Sequence, residues 1–257
     1  MMRAIVTFLL FVLVQVIGSA VALLFGNLDR IGQGVPLREL PVSAESSGVA
    51  LLVFDVLLCM GLQWYFSYAD RNTGHSSARV HPMPWKMKGL ALAGTLGFSL
   101  SLSLLLTPLH LDDSGTVLLF EGMRHNALCL LLLCLIGPLT EELVFRKGVL
   151  RGLLGEHLSP YAAVTVSALA FALVHANLAQ GIPAFLIGLV FGFCYLRTGS
   201  IALSFPIHVA NNVLAVLLMF FPQAEHAVSQ WPPLCTVIVG LVLAAASMTG
   251  IYKSLTD

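Results

Sequence analysis

Two adjacent carboxylates, Glu141 and Glu142, stand in the middle of an apolar run from Ala127 to Leu154, and Arg146 follows four residues after the second. About 20 mostly apolar residues suffice for a helix to cross a bilayer. Ionisable groups at that depth cost several kcal/mol and persist only with a partner or a task. Two further apolar runs carry a histidine each, in Phe171-Ala-Leu-Val-His175 and in His208-Val-Ala-Asn-Asn212. The pattern calls for a fold in which three helices bring Glu, His, His and Asn into one polar pocket inside a membrane.

Composition supports the membrane. The 257 residues are 58% hydrophobic and only 10% charged, whereas charged residues make up about a quarter of a soluble globular domain. Eight apolar runs are long enough to be spans: Ala4 to Phe25, Gly48 to Ser67, Gly89 to Leu109, Ala127 to Leu154, Pro160 to Leu178, Ile182 to Leu196, Ile201 to Phe221, and Cys235 to Ile251. The expected class is all-α, a polytopic transmembrane helical bundle of about eight spans. Net charge is zero, so nothing points to a nucleic-acid partner. The cysteines Cys59, Cys129, Cys134, Cys194 and Cys235 form no C-x-x-C pair and read as buried small hydrophobes.

The first run imitates a signal peptide, with Arg3, an apolar stretch and an Ala20-Val21-Ala22 site. Its apolar character continues to Phe25, past the usual h-region, which favours an uncleaved span. Basic residues set the orientation. On the eight-span topology only Arg30, Arg38 and Arg124 of the 13 Lys and Arg residues fall on one side. The others face the opposite side, so both termini are expected in the cytoplasm.

Depth and helical phase decide whether the polar residues can meet. At about 1.5 Å rise per residue, Glu141 lies roughly 20 Å from its cytoplasmic helix end, His175 roughly 22 Å, His208 roughly 12 Å and Asn212 roughly 18 Å. Residues four apart share a face, which aligns His208 with Asn212 and Glu142 with Arg146. Glu142 and Arg146 read as an intrahelical ion pair, leaving Glu141 as the less compensated carboxylate. Phe171, a turn before His175, packs plainly or walls the pocket. Asp55, the one acid inside the second span, pairs with a neighbouring helix or lines the cavity. Lys147 and Arg151, like charges four apart, are expected to face water or headgroups. Ser167 has no acid partner and reads as a packing residue.

Glu141-Glu142-Leu-Val-Phe-Arg146, Phe171-x-x-x-His175 and His208-x-x-x-Asn212, in this order on separate spans, resemble the CPBP intramembrane proteases, the CAAX prenyl protease type 2 or Abi family. Gly188-x-x-x-Gly192-x-x-Tyr195-x-x-Thr198-Gly199-Ser200 looks like the family's glycine-rich third motif. The resemblance divides the chain into variable N-terminal spans (1–126), a catalytic core (127–215) and a C-terminal loop and span (216–257), within one membrane domain. It implies hydrolysis of a peptide bond in a membrane-embedded or lipidated protein, with membrane lipids as surroundings. By carry-over Glu141 and His175 activate water, His208 and Asn212 stabilise the oxyanion, and Glu142, Arg146 and Phe171 support them.

The residues themselves leave other readings open. Buried Glu and His also serve proton-coupled transporters, although no matching pair of broken helices marks the two halves, and a non-catalytic scaffold would carry the same pocket. Glu141, His175 and His208 are also respectable zinc ligands. The absence of H-E-x-x-H and the oxyanion-donor fit of Asn212 favour a mechanism with no cofactor.

Overall fold

The computed structural model describes residues 1–72, 83–156 and 158–221, together with 223, 238–240, 242, 245, 246, 249 and 250. Seven principal helices are α1 (Met2–Phe25), α2 (Ala44–Asn72), α3 (Trp85–Leu106), α4 (Ala127–Leu154), α5 (Pro160–Leu173), α6 (Leu178–Thr198) and α7 (Ile201–Phe220). No strand occurs among the described residues. All but α5 are long and apolar enough to cross a bilayer, so the protein is a multi-pass, all-α membrane bundle. The expected eighth span from Cys235 to Ile251 falls largely outside the described residues, as do His75, His81, His157 and His226. Short helices at Leu28–Gly32 and Thr116–Met123 join the spans.

The centre of the bundle is α4, and its helix is not regular. Two π-helical segments, Leu132–Ile136 and Glu142–Leu150, flank a short α-helical stretch at Gly137–Glu141. Pro138 accounts for the first, because it donates no hydrogen bond and its ring crowds the carbonyl four residues back, at Cys134. The second holds the Glu-Glu-x-x-x-Arg motif. The wider i→i+5 turn makes adjacent side chains diverge less than on an α-helix, and such segments recur at functional sites.

Small residues let the neighbours close on α4. A Cβ on Gly148 would stand 2.4 Å from Thr7 Cγ2, and one on Gly152 would stand 2.8 Å from the Ala4 nitrogen. Gly148-x-x-x-Gly152 is therefore the groove in which α1 lies, as small residues permit between membrane helices. Gly188 and Gly192 do the same for α6 against α5, facing Phe171 and Val164. Between them Phe145 is fully buried, with edge contacts to Phe11 at 5.5 Å and Phe171 at 5.2 Å. The opposite face of α1 exposes Leu9, Leu13 and Val16, as a lipid-facing surface should.

One boundary differs from expectation in a way that matters. The fifth span was expected to run to Leu178, but α5 stops at Leu173 and is only 14 residues long, about 21 Å at 1.5 Å per residue and short of the roughly 30 Å core. His175 follows the helix end, Ala176 is left-handed at φ 57°, and Asn177 caps α6 by accepting from the Gln180 nitrogen while donating to the His175 carbonyl. Capping competes with helix continuation, and here the cap wins. Non-helical backbone at membrane depth is tolerated where it lines a cavity, and this turn lines one.

Candidate active site

Helices α4 and α7 bring their polar residues into direct contact. His208 stands between the paired carboxylates, its Nδ1 3.2 Å from Glu142 Oε1 and its Nε2 3.3 Å from Glu141 Oε2. Ser204, one turn earlier on α7, donates to Glu142 Oε2 at 2.5 Å. Arg146 lies with Nε 3.4 Å from Glu142 Oε1, and its guanidinium sits over the Phe171 and Phe191 rings at 4.8 and 5.3 Å. The expected Glu142–Arg146 pair is thus present. Glu142 and Arg146 are fully buried, whereas the Glu141 side chain keeps 23% of its surface exposed.

Glu141, His175, His208 and Asn212 all line one cavity of about 880 Å³, together with Phe171 and Phe191. Phe171 touches both imidazoles edge-on, at 5.0 Å to His175 and 5.8 Å to His208, so it walls the pocket and fixes the histidines relative to each other. His175 Nδ1 bonds the Phe171 carbonyl at 2.9 Å, and its Nε2 has no hydrogen bond to the described residues. Asn212 Nδ2 donates to the Leu133 carbonyl at 2.9 Å, within the first π segment. Glu141 contacts His208 rather than His175, which lines the same cavity.

Ser167 donates to the Phe145 carbonyl at 2.6 Å inside the bundle and is the packing residue expected. Asp55 both pairs and faces the cavity: it accepts from Gln15 Nε2 at 2.7 Å and lines the pocket. Ser204 and Gln15 escaped the sequence reading. The signal for Ser204 was the four-residue stripe Ser204, His208, Asn212, and for Gln15 its standing as the sole side-chain amide within the first apolar run. Among the described residues no group of three His, Cys, Asp or Glu side chains is gathered as metal ligands would be.

These features define a class: a multi-pass membrane protein with a carboxylate and imidazole site on a cavity inside its helices. Residues 123–214 match the family described as type II CAAX prenyl endopeptidase Rce1-like. That segment holds all of the motif residues above. The chain is 26% identical over 132 residues to YdiL of Bacillus subtilis (strain 168), a candidate membrane peptidase by name, covering 51% of this chain and 54% of YdiL. It is 30% identical over 152 residues to the membrane-embedded CAAX protease MroQ of Staphylococcus aureus (strain USA300), covering 55% of this chain and 60% of MroQ. The chain thus spans little more than half the length of these curated relatives. No solved structure matches it.

Proposed function

We propose that the protein is an intramembrane endopeptidase that hydrolyses a peptide bond in a membrane-associated or lipidated protein substrate. The observation that carries this reading is His208 clasped between Glu141 and Glu142 at the wall of a cavity within the bundle. Glu141, the more accessible carboxylate, takes a proton from a cavity water, and the resulting hydroxide attacks the peptide carbonyl carbon. His175 Nε2 orients that water. His208 Nε2–H and the second Asn212 amide hydrogen stabilise the oxyanion, and donors of this kind are worth about 3 kcal/mol each. The intermediate collapses as Glu141 returns its proton to the leaving amine, so no covalent enzyme intermediate forms.

The supporting residues have separable tasks. Glu142 holds His208 through Nδ1 and thereby aims Nε2 at the cavity, while Ser204 fixes Glu142. Arg146 offsets the charge of Glu142 where no water reaches. Each step uses side chains of this chain alone.

Comparison of membrane peptidomes from cells carrying wild-type protein or Glu141→Gln tests the reading. Fragments present only with the wild type are expected, and purified protein should keep its activity after treatment with a chelator. Identical peptidomes would overturn the protease in favour of a transporter or scaffold. Activity lost on chelation and restored by zinc would instead assign Glu141, His175 and His208 as ligands.

A further inference from the structure

The cavity is bounded on its far side by the N-terminal spans, through Phe8, Phe11 and Gln15 of α1 and Leu51 and Asp55 of α2. Asp55 is 4% exposed. One of its oxygens accepts from Gln15, a neutral amide, and the other carries no hydrogen bond among the described residues. A carboxylate at this depth held only by an amide lacks the counter-charge that such groups usually have. Glu141 differs, since it has His208. None of the described residues lining the cavity is a lysine or arginine.

Asp55 is also close to the chemistry. One turn beyond it on α2, Cys59 Sγ contacts Thr140 Oγ1 at 3.2 Å, and Thr140 precedes Glu141. Residues four apart share a helix face, so Asp55 stands on the face of α2 that is applied to the motif helix. We propose that Asp55, held by Gln15, is a substrate subsite that receives an ammonium or guanidinium group near the cleaved bond. This deepens the protease reading by giving the substrate a charge: the segment entering the cavity carries a lysine, an arginine or a free amine. A substrate carboxylate in the same place meets two acids and no cation.

The test reads binding, which does not require turnover. Hydrophobic hexapeptide amides with Lys, Met or Glu at one position, each with an acetylated or a free amino terminus, are titrated into full-length protein in nanodiscs. Wild type and Glu141→Gln are both expected to hold the Lys peptide at least about tenfold tighter than the Met or Glu peptide. If the free terminus alone confers the preference, the amine is terminal rather than a side chain. Two neutral replacements, Asp55→Asn and Asp55→Ser, should each abolish the preference, and Asp55→Glu should restore it; using both guards against a folding defect in either. Equal binding of all peptides to the wild type, or a preference that survives loss of the acid, overturns the subsite. Neither result bears on whether Glu141 cleaves, which the peptidome comparison decides.

Discussion

Two clusters of charge lie on the same helix, and they obey different rules. Glu142 and Arg146, in the π segment of α4, have side chains 0 and 1% exposed. Little more than a turn further on, Arg151 meets Asp70 of α2 at 3.1 Å, and Arg3 of α1 meets the same carboxylate at 3.3 Å, with side chains 17 to 25% exposed. Lys147 joins this second cluster through Gln63 and the Phe66 ring. The outer cluster sets three cations against one acid. The inner one sets two acids against Arg146 and an imidazole, with Ser204 filling a remaining oxygen. Where water reaches, imbalance is tolerated by screening; where it does not, charges must be matched within the protein. The inner cluster is consequently a single interlocked unit and the outer one a loose association.

Breaking the inner unit should have the largest effect. Glu142→Gln leaves Arg146 buried without its counter-charge and should cost about 3–5 kcal/mol, seen as loss of folded protein in membranes. Joint replacement, Glu142→Leu with Arg146→Met, removes both charges and should recover most of that stability, since buried pairs exchange for apolar residues at little cost. His208 would then lack its Nδ1 partner, so the recovered protein should remain inactive. Thermal unfolding of Glu142→Leu, Arg146→Met and the double variant in detergent gives the coupling, and additivity of the two changes would sink the interlocked unit.

An intermediate effect separates the clusters physically. Gly148 lies between them on α4, against Thr7. Gly148→Ala forces α1 away and should destabilise by about 1–3 kcal/mol, and Thr7→Ala should partly rescue it by removing Cγ2. Because Arg3 belongs to α1 while His208, Glu141 and Glu142 belong to α4 and α7, the damage should fall on the outer cluster. Cleavage of bound substrate should survive in the folded molecules, while substrate binding weakens to the extent that Gln15 of α1 is drawn away from Asp55. Loss of activity without loss of folded protein would show instead that α1 governs the site.

The inner cluster was legible in the sequence because its residues are costly and periodic. A Glu, a His and an Asn inside apolar runs stand out against leucine, and the four-residue spacings of Glu142 with Arg146 and of His208 with Asn212 gave their faces. Pairing across helices was not legible. The spacing makes Glu141 the freer carboxylate, yet it does not reveal that the π turn lets both glutamates reach one imidazole. The end of α5 was missed because Ala-Leu-Val continues the apolar run, while the Asn177 cap that stops it acts from the following helix. The outer cluster was read only in part: Lys147 and Arg151 were expected at the solvated end of their helix, but Asp70 and Arg3 come from spans with no motif to align them.

The smallest effect is expected at Asp70, and it sharpens the comparison most. Asp70→Asn leaves Arg3 and Arg151 facing an amide, and among the described residues Arg3 already keeps its Nε and Nη2 without hydrogen-bond partners. A buried unit would collapse on such a change. Partly exposed pairs are worth only about 0–1 kcal/mol, and here the loss of one attraction is joined by repulsion among three cations that water and salt already screen. The stability change should therefore stay near 1 kcal/mol or below and shrink as salt is raised. Unfolding measured at low and at high salt separates the cases. A loss as large as that of Glu142→Gln, and insensitive to salt, would mean that the outer cluster is as dry as the inner one, and that exposure does not set the difference between them.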